Sequence, residues 1–393
     1  MNHTLRPRHG LIIILASLVA FGPLSIDMYL PSLPIIAEDL AARAGEIKLT
    51  ITLFLVGFSV GMLLYGPLSD RFGRRWLLLL GIGLYLVATV GCAWALSAEQ
   101  LLAWRLLQAL GGASASVLAR AIVRDVYPVG EAAKILSLMH IITMVATIAA
   151  PVLGSLLVLW LGWRAIFGFL FLFALLCLLL VYHKVPETLA SERRLPSLRQ
   201  VFGAYYQIAT NRRGLSYIGC MGMSFAGMFV YITASPFVYI DYFGVTPQQY
   251  ALLFGLNIFG IMAMTFVNAS VVGRVGPQRM IQFGAGMVLA SALWLLCLGW
   301  SGWGGLWGIV VGLWVFVAMT GTLSANCIAQ LMALFPRQAG AAAGLAVATQ
   351  FGLGACFSFL VSQFAAVDPL PMVGVIAVAG ALCFGAMWLT RAP

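Results

Sequence analysis

Apolar residues run along this chain in long blocks, and polar positions fall mostly between the blocks. Twelve blocks are expected to form helices, at about 11–31, 48–68, 76–96, 100–122, 136–158, 163–182, 214–236, 249–272, 280–300, 304–329, 341–363 and 371–390. At 1.5 Å of rise per residue, about 20 residues cross a hydrocarbon core of ~30 Å. The longest stretch between blocks, about 183–213, is basic and polar and divides the helices six and six. The expected architecture is therefore an all-α membrane protein with 12 transmembrane helices in two six-helix halves. Its units are an N-terminal bundle (1–182), a linker loop (183–213) and a C-terminal bundle (214–393).

The halves repeat. Residues 66–75 read GPLSDRFGRR between spans 2 and 3, and residues 269–279 read ASVVGRVGPQR between spans 8 and 9. One offset of 203 residues superposes Arg71 on Arg274 and Gly73 on Gly276, and carries spans 1 and 2 onto 7 and 8. Two halves of the same orientation imply a pseudo-twofold axis along the membrane normal. Such folds bind cargo at mid-membrane between the halves and work by rocking.

Composition narrows the class. The chain is 62% hydrophobic and 9% charged, with mean hydropathy +1.01. A soluble protein of this length has no interior large enough for that much apolar surface. The first block is expected to remain as a span, because Pro23, Asp27 and two further prolines stand where a leader would carry a small-residue cleavage site. The net charge of +10 does not point to nucleic acid, since the positives sit in short loops and no stretch forms a basic, aromatic face. With the N-terminus inside, 18 of the 22 Lys and Arg residues fall in inner loops, tails or inner span ends; Arg43, Lys48 and Arg164 fall outside. Both termini are therefore expected to be cytoplasmic. Seven scattered cysteines read as small apolar residues, and four histidines form no metal cluster.

Two charges remain inside spans. Asp27 lies near the end of the first block, and a carboxylate at membrane depth costs about 2.5–3.5 kcal/mol or more, which marks a site. The plainer reading is a helix-end acid near Pro31 that looks into water. Arg105, about five residues into span 4, is its expected partner at a similar depth of roughly 6–8 Å, with Gln108 one turn below. Such a pair poises a proton-binding group; a static ion pair joining two helices is the alternative. Arg120 is read as an interfacial arginine with a snorkelling side chain, an inward cavity being the other possibility, and Arg124 as a contact for lipid phosphates. Asp241 and Asp368 read as solvated loop charges and Glu187 as structural. The second half is nearly free of charge within its spans. Tyr231, Tyr239, Asn257, Asn268, Asn326, Gln330, Gln350 and Gln363 read singly as helix–helix hydrogen bonds. With Tyr29 and Gln108, the residues Tyr231, Asn257, Asn326 and Gln330 are the candidate lining of a substrate cavity. The spacings Gly308-xxx-Gly312 and Gly340-xxx-Gly344 suit close helix packing.

The loop GPLSDRFGRR, with Gly66, Asp70, Arg71, Gly73 and Arg74, resembles the loop 2–3 signature of the major facilitator superfamily. Within it, IDMYLPSLP (26–34), WRLLQALGG (104–112), VRDVY (123–127), APVLG (150–154) and GWRAIF (162–167) resemble the bicyclomycin- and chloramphenicol-resistance group of twelve-span drug transporters. The resemblance implies that Arg105 is tied to proton coupling alongside Asp27. It also implies that Asp70 and Arg74 form an inner gate with Asp125 as the partner of Arg74. Pro151 and Gly154 stand for the span 5 signature, with Ala150 and Ser155 in place of flanking glycines. The residue matching Asp70 in the second half is Gly273, so any clamp is asymmetric. The implied function is proton-driven export of small hydrophobic or cationic drugs through the bacterial inner membrane. A proton-coupled importer of a small solute on the same fold is the alternative. An enzyme is not expected, because no His, Cys or acid cluster lies at membrane depth. The expected partners are a drug, protons as coupling ion and the lipid bilayer. No cofactor, metal or nucleic acid is expected, and the chain is expected to act as a monomer.

Overall fold

An apolar segment in lipid has no polar partner for its backbone except itself, and here the blocks close into helices. The computed structural model describes residues 9–189, 198–364 and 368–389, and no strand occurs among them. The first block forms α1 (His9–Val19), α2 (Phe21–Asp27), a 3-10 turn (Leu30–Ser32) and α3 (Leu33–Asp39). There follow α4 (Ala44–Phe72), α5 (Arg74–Ala93), α6 (Ala98–Val126), α7 (Val129–Leu161) and α8 (Arg164–Lys184). After the short α9 (Leu198–Thr210) come α10 (Arg212–Pro236), extended by a π-helical turn (Phe237–Tyr242), α11 (Pro247–Val275) and α12 (Pro277–Ser301). The chain ends with α13 (Gly305–Leu334), α14 (Ala339–Ser362) and α15 (Pro369–Leu389). Eleven helices are long and apolar enough to cross a membrane, and the bent first stretch makes twelve. The expected charges Arg6, Arg8, Arg193, Arg194 and Arg391 lie outside the described residues.

Two elements differ from expectation. The first block is not one helix ending near Pro31; it bends by 40° and continues to Asp39. The prolines explain both breaks. Proline lacks an N–H and crowds the carbonyl four residues back. Pro23 answers to Val19, where α1 stops, and Pro31 answers to Asp27, where α2 stops. The linker is also not all loop. Val201, Tyr205 and Ile208 share one face of α9, and Ile208 is fully buried.

Polar residues set the helix ends. Ser97 and Asn211 accept backbone N–H bonds from Gln100 and Gly214, and Thr246 and Gln249 form a capping box. Gly73 ends α4 at φ 103°, ψ 154°, and Gly276 ends α11 at φ 88°, ψ 147°. A side chain is strained in that region, so glycine is required at both turns. The 203-residue repeat therefore extends to backbone conformation.

Within the first half, α6 packs on α4 and α5, and α8 on α5. Within the second, α10 packs on α13, α14 and α15, and α12 on α13 and α15. The two groups meet along α4 with α14 and along α7 with α11. Gly57 lets α4 approach the Leu106 carbonyl of α6, and Gly308 and Gly312 seat α13 against Leu298 and Leu295, as their spacing predicts. Gly340 and Gly344 are different: their nearest neighbours are the ends of the Arg124 and Tyr205 side chains. Gly66 meets nothing within 4 Å, so it serves neither a turn nor a close approach.

Candidate functional site

Asp27 sits at the C-terminal end of α2, where Pro31 interrupts the helix. Twelve residues separate it from the end of α3, about 18 Å at helical rise, so it is deeper than the sequence implied. It is only 5% exposed, and it makes no hydrogen bond or ion pair with any described residue. The groups within its electrostatic reach are Tyr231 and Tyr250 of the opposite half. Asn257 Nδ2 donates to Tyr231 Oη at 3.0 Å, and Tyr250 Oη lies 3.1 Å from Ser235 Oγ. Tyr239 Oη and Asn257 Oδ1 are buried without partners. Gly154 of α7 lies against the Met28 carbonyl, where a side-chain carbon would collide. The span 5 glycine thus holds the broken backbone beside Asp27.

Arg105 does not pair with Asp27. It is fully buried, donates from Nη1 to Gln108 Oε1 at 2.7 Å, and lies between the rings of Tyr29 and Phe54 at 4.5 and 4.4 Å. Gln108 passes the network on, donating to Thr89 Oγ1 at 2.9 Å. Arg105 Nε and Nη2 have no hydrogen-bond partner. The stacking rings replace the counter-ion that sequence reasoning assigned to it.

Of the loop 2–3 residues, Asp70 and Arg74 meet each other and Asp125. Arg74 is buried and pairs with Asp70 at 2.5 Å and with Asp125 at 3.0 Å, and it also donates to Ser69 Oγ. Its planar fork makes three directed contacts that a lysine could not make together. Glu187 caps α5, accepting the Arg74 and Arg75 N–H groups at 2.9 and 3.2 Å. Thr188 Oγ1 donates to Asp125 at 3.2 Å, which fastens the chain after α8 to the same cluster. Arg71 stays outside it, exposed over the Phe72 ring.

A cavity of about 690 Å³ opens between the halves at this end, lined by Gly66, Asp70, Arg74 and Asp125 from one half and by Gly340 and Gly344 from the other. Tyr205 of α9 also lines it; burial and the neighbouring Asp70 push its phenol up to about 12, so it stays a neutral hydroxyl. Arg120 and Arg124 line the cavity too. That matches the inward-cavity reading of Arg120 over the interfacial one and corrects the lipid-phosphate reading of Arg124. None of Tyr29, Gln108, Tyr231, Asn257, Asn326 and Gln330 lines it. Tyr29 bonds Thr50, Gln108 serves Arg105, and Asn326 donates to Asn268 at 2.7 Å within its own half.

The opposite end is shut by contacts the sequence did not reveal. Thr52 Oγ1 lies 2.9 Å from Ser358 Oγ, which lies 2.7 Å from Thr233 Oγ1. Lys48, expected on the outer side at the start of span 2, is 2% exposed; its Nζ donates to the Phe364 carbonyl at 3.4 Å and lies over the Phe237 ring. Asp241 and Asp368 lie within its electrostatic reach, so they are not simply solvated. Only the meeting of α4 with α10 and α14 brings these residues together.

The Major Facilitator Superfamily model matches residues 15–359. The chain is 33% identical to the uncharacterized MFS-type transporter YdgK of Bacillus subtilis (strain 168), over 98% of this chain and 96% of that one. It is 30% identical to a bicyclomycin resistance protein homolog of Haemophilus influenzae, over 92% and 91%. It is 32% identical to a chloramphenicol resistance protein of Pseudomonas aeruginosa, over 72% and 67%. A D-xylose-proton symporter shares the fold with TM-score 0.75 at 19% identity, over 96% and 97% of the two chains. The signature loop, the twelve helices in repeated halves and these matches agree, and the chain belongs to the Major Facilitator Superfamily.

Proposed function

We propose that the protein is a drug:H+ antiporter, exporting small hydrophobic or cationic drugs by alternating access between its halves. The observation that carries this reading is the Asp27 carboxyl, buried without a cationic partner at a break in the first span and within electrostatic reach of tyrosines of the other half. The names of the resistance relatives support the substrate class. A buried carboxyl without a counter-ion is neutralised by a proton, or by the cationic or hydrogen-bond-donating face of a bound drug. The two occupants compete, and that competition couples drug exit to proton entry. Protons are the only coupling species required, and no cofactor takes part.

The distribution of Lys and Arg supports an orientation with both termini and the loop 2–3 end in the cytoplasm of a bacterial inner membrane. In that orientation the cavity faces inward, and the Thr52, Ser358 and Lys48 contacts form the outer closure. A monomer suffices, because both halves of the site lie in one chain.

The test is drug efflux from cells expressing the wild type or Asp27→Asn, with chloramphenicol and a panel of neutral and cationic antibiotics, with and without a protonophore. The expected result is protonophore-sensitive efflux that the variant loses while it is still inserted at the wild-type level. Unchanged resistance in the variant removes Asp27 from the coupling role. Uptake that rises with an inward proton gradient replaces export with import.

A further inference from the structure

The cavity at the loop 2–3 end holds more positive charge than its acids neutralise. Both carboxylates on its wall, Asp70 and Asp125, are engaged by Arg74. Arg120 and Arg124 line the same space and make no hydrogen bond or ion pair with any described residue. They lie within electrostatic reach of each other, and His140 of α7 lies within reach of Arg120. Arg120 is six residues inside the end of α6, about 9 Å, yet the cavity keeps it exposed. Two neighbouring guanidiniums without a partner among the described residues repel each other, and one anion between them would relieve both. Across the cavity stands the first turn of α14: Arg124 Nη1 is 3.6 Å from the position a side-chain carbon on Gly340 would take. The backbone N–H groups of that turn favour negative charge as well. The remaining wall is apolar, with Met62, Val117, Leu136, Met332 and Val347.

We infer that this cavity is a binding site for small organic acids, with the carboxylate, sulfonate or phosphate held by Arg120, Arg124 and the start of α14 and an apolar body against the methionine and aliphatic wall. The inference rests on the export reading only for its consequence, which is that the transported range extends from neutral and cationic drugs to anionic ones. The anion bridges α6 of one half and α14 of the other, so it meets the two surfaces that rocking moves apart. A lipid phosphate offers the same chemistry from a different source, and the test separates the two.

The experiment uses the full chain in nanodiscs of phosphatidylcholine, with chloramphenicol and its hemisuccinate ester as a matched neutral and anionic pair. Titration calorimetry reads affinity, and proteoliposome efflux is measured separately. Affinity for the hemisuccinate is expected to exceed that for chloramphenicol, and to fall about ten-fold in Arg120→Gln and in Arg124→Gln while chloramphenicol binding is unchanged. Arg120→Lys is expected to keep much of it. Gly340→Asp is the variant that removes no arginine: it sets a carboxylate beside Arg124, at a helix start that tolerates one, and is expected to match Arg124→Gln. Equal binding of the two compounds, or hemisuccinate binding indifferent to all four variants, overturns the site. Phosphatidylglycerol that co-purifies with the wild type and is lost in Arg120→Gln, without any hemisuccinate preference, overturns the solute reading in favour of a lipid headgroup. Hemisuccinate bound as expected but exported by no preparation that exports chloramphenicol leaves the site standing and removes the extension of the transported range to anionic drugs.

Discussion

Arg74 shows how one side chain can order a whole end of the molecule. Its guanidinium joins Asp70 on α4 to Asp125 on α6, and its backbone N–H is taken by Glu187 beyond α8. The pair with Asp125 followed from the motif, because charge type and spacing survive in a sequence. The Glu187 cap did not, since 113 residues separate donor and acceptor. Arg74→Lys keeps the charge but cannot hold Asp70, Asp125 and Ser69 together. It is expected to cost about 1–3 kcal/mol, seen as a lower melting temperature in detergent. A melting curve identical to the wild type would mean the fork geometry carries no stability. Asp27 and Arg105 make the opposite case. Their residue types were legible as membrane-depth charges, but the pair expected between them does not form, because Arg105 lies between two aromatic faces and donates to Gln108.

The broken first span is the element on which the central site depends. Pro23 and Pro31 place the two breaks by local chemistry alone, and Gly154 on α7 admits the displaced backbone at Met28. Gly154→Ala puts a methyl group where the Met28 carbonyl stands. Overpacking of this kind costs about 1–3 kcal/mol. Because the strain falls one residue from Asp27, efflux is expected to drop at least ten-fold at unchanged membrane insertion. The paired control is Gly168→Ala on α8, whose added carbon meets nothing within 4 Å and lies away from the cavity. If both alanines behave alike, the contact between Gly154 and Met28 does not position Asp27.

Two halves closed at one end and open at the other fit one side of the proposed alternating cycle. The hydroxyls of Thr52 and Ser358 are 2.9 Å apart across the seam between α4 and α14. Thr52→Cys with Ser358→Cys is therefore expected to form a disulfide under mild oxidation and to abolish transport, with recovery on reduction. Each single cysteine variant is expected to transport normally. A cross-linked protein that still transports would show that this seam does not open during the cycle.

The sequence by itself determined the number of spans, their division into halves and the glycine turns at Gly73 and Gly276, and it carries the prolines that break the first span, although that span was expected to run unbroken to Pro31. Each follows from local physics: apolar length against bilayer thickness, backbone conformation at positive φ, and the missing N–H of proline. Asp70, Arg74 and Asp125 of the loop 2–3 cluster were also legible, because they are charged and close in the chain or in a motif, whereas Ser69, Glu187 and Thr188 were not. Only the tertiary structure decided what meets across the helices. It brought Asp27 within electrostatic reach of Tyr231 and Tyr250, placed Arg105 between two rings, buried Lys48 in the seam and left Arg120 and Arg124 facing a cavity. The physical reason is that in a bundle of apolar helices the pattern of hydrophobic residues scarcely differs between faces. Which face a polar side chain shows to a neighbour is then set by packing, by where small residues allow approach and where prolines bend the chain, and not by periodicity along it.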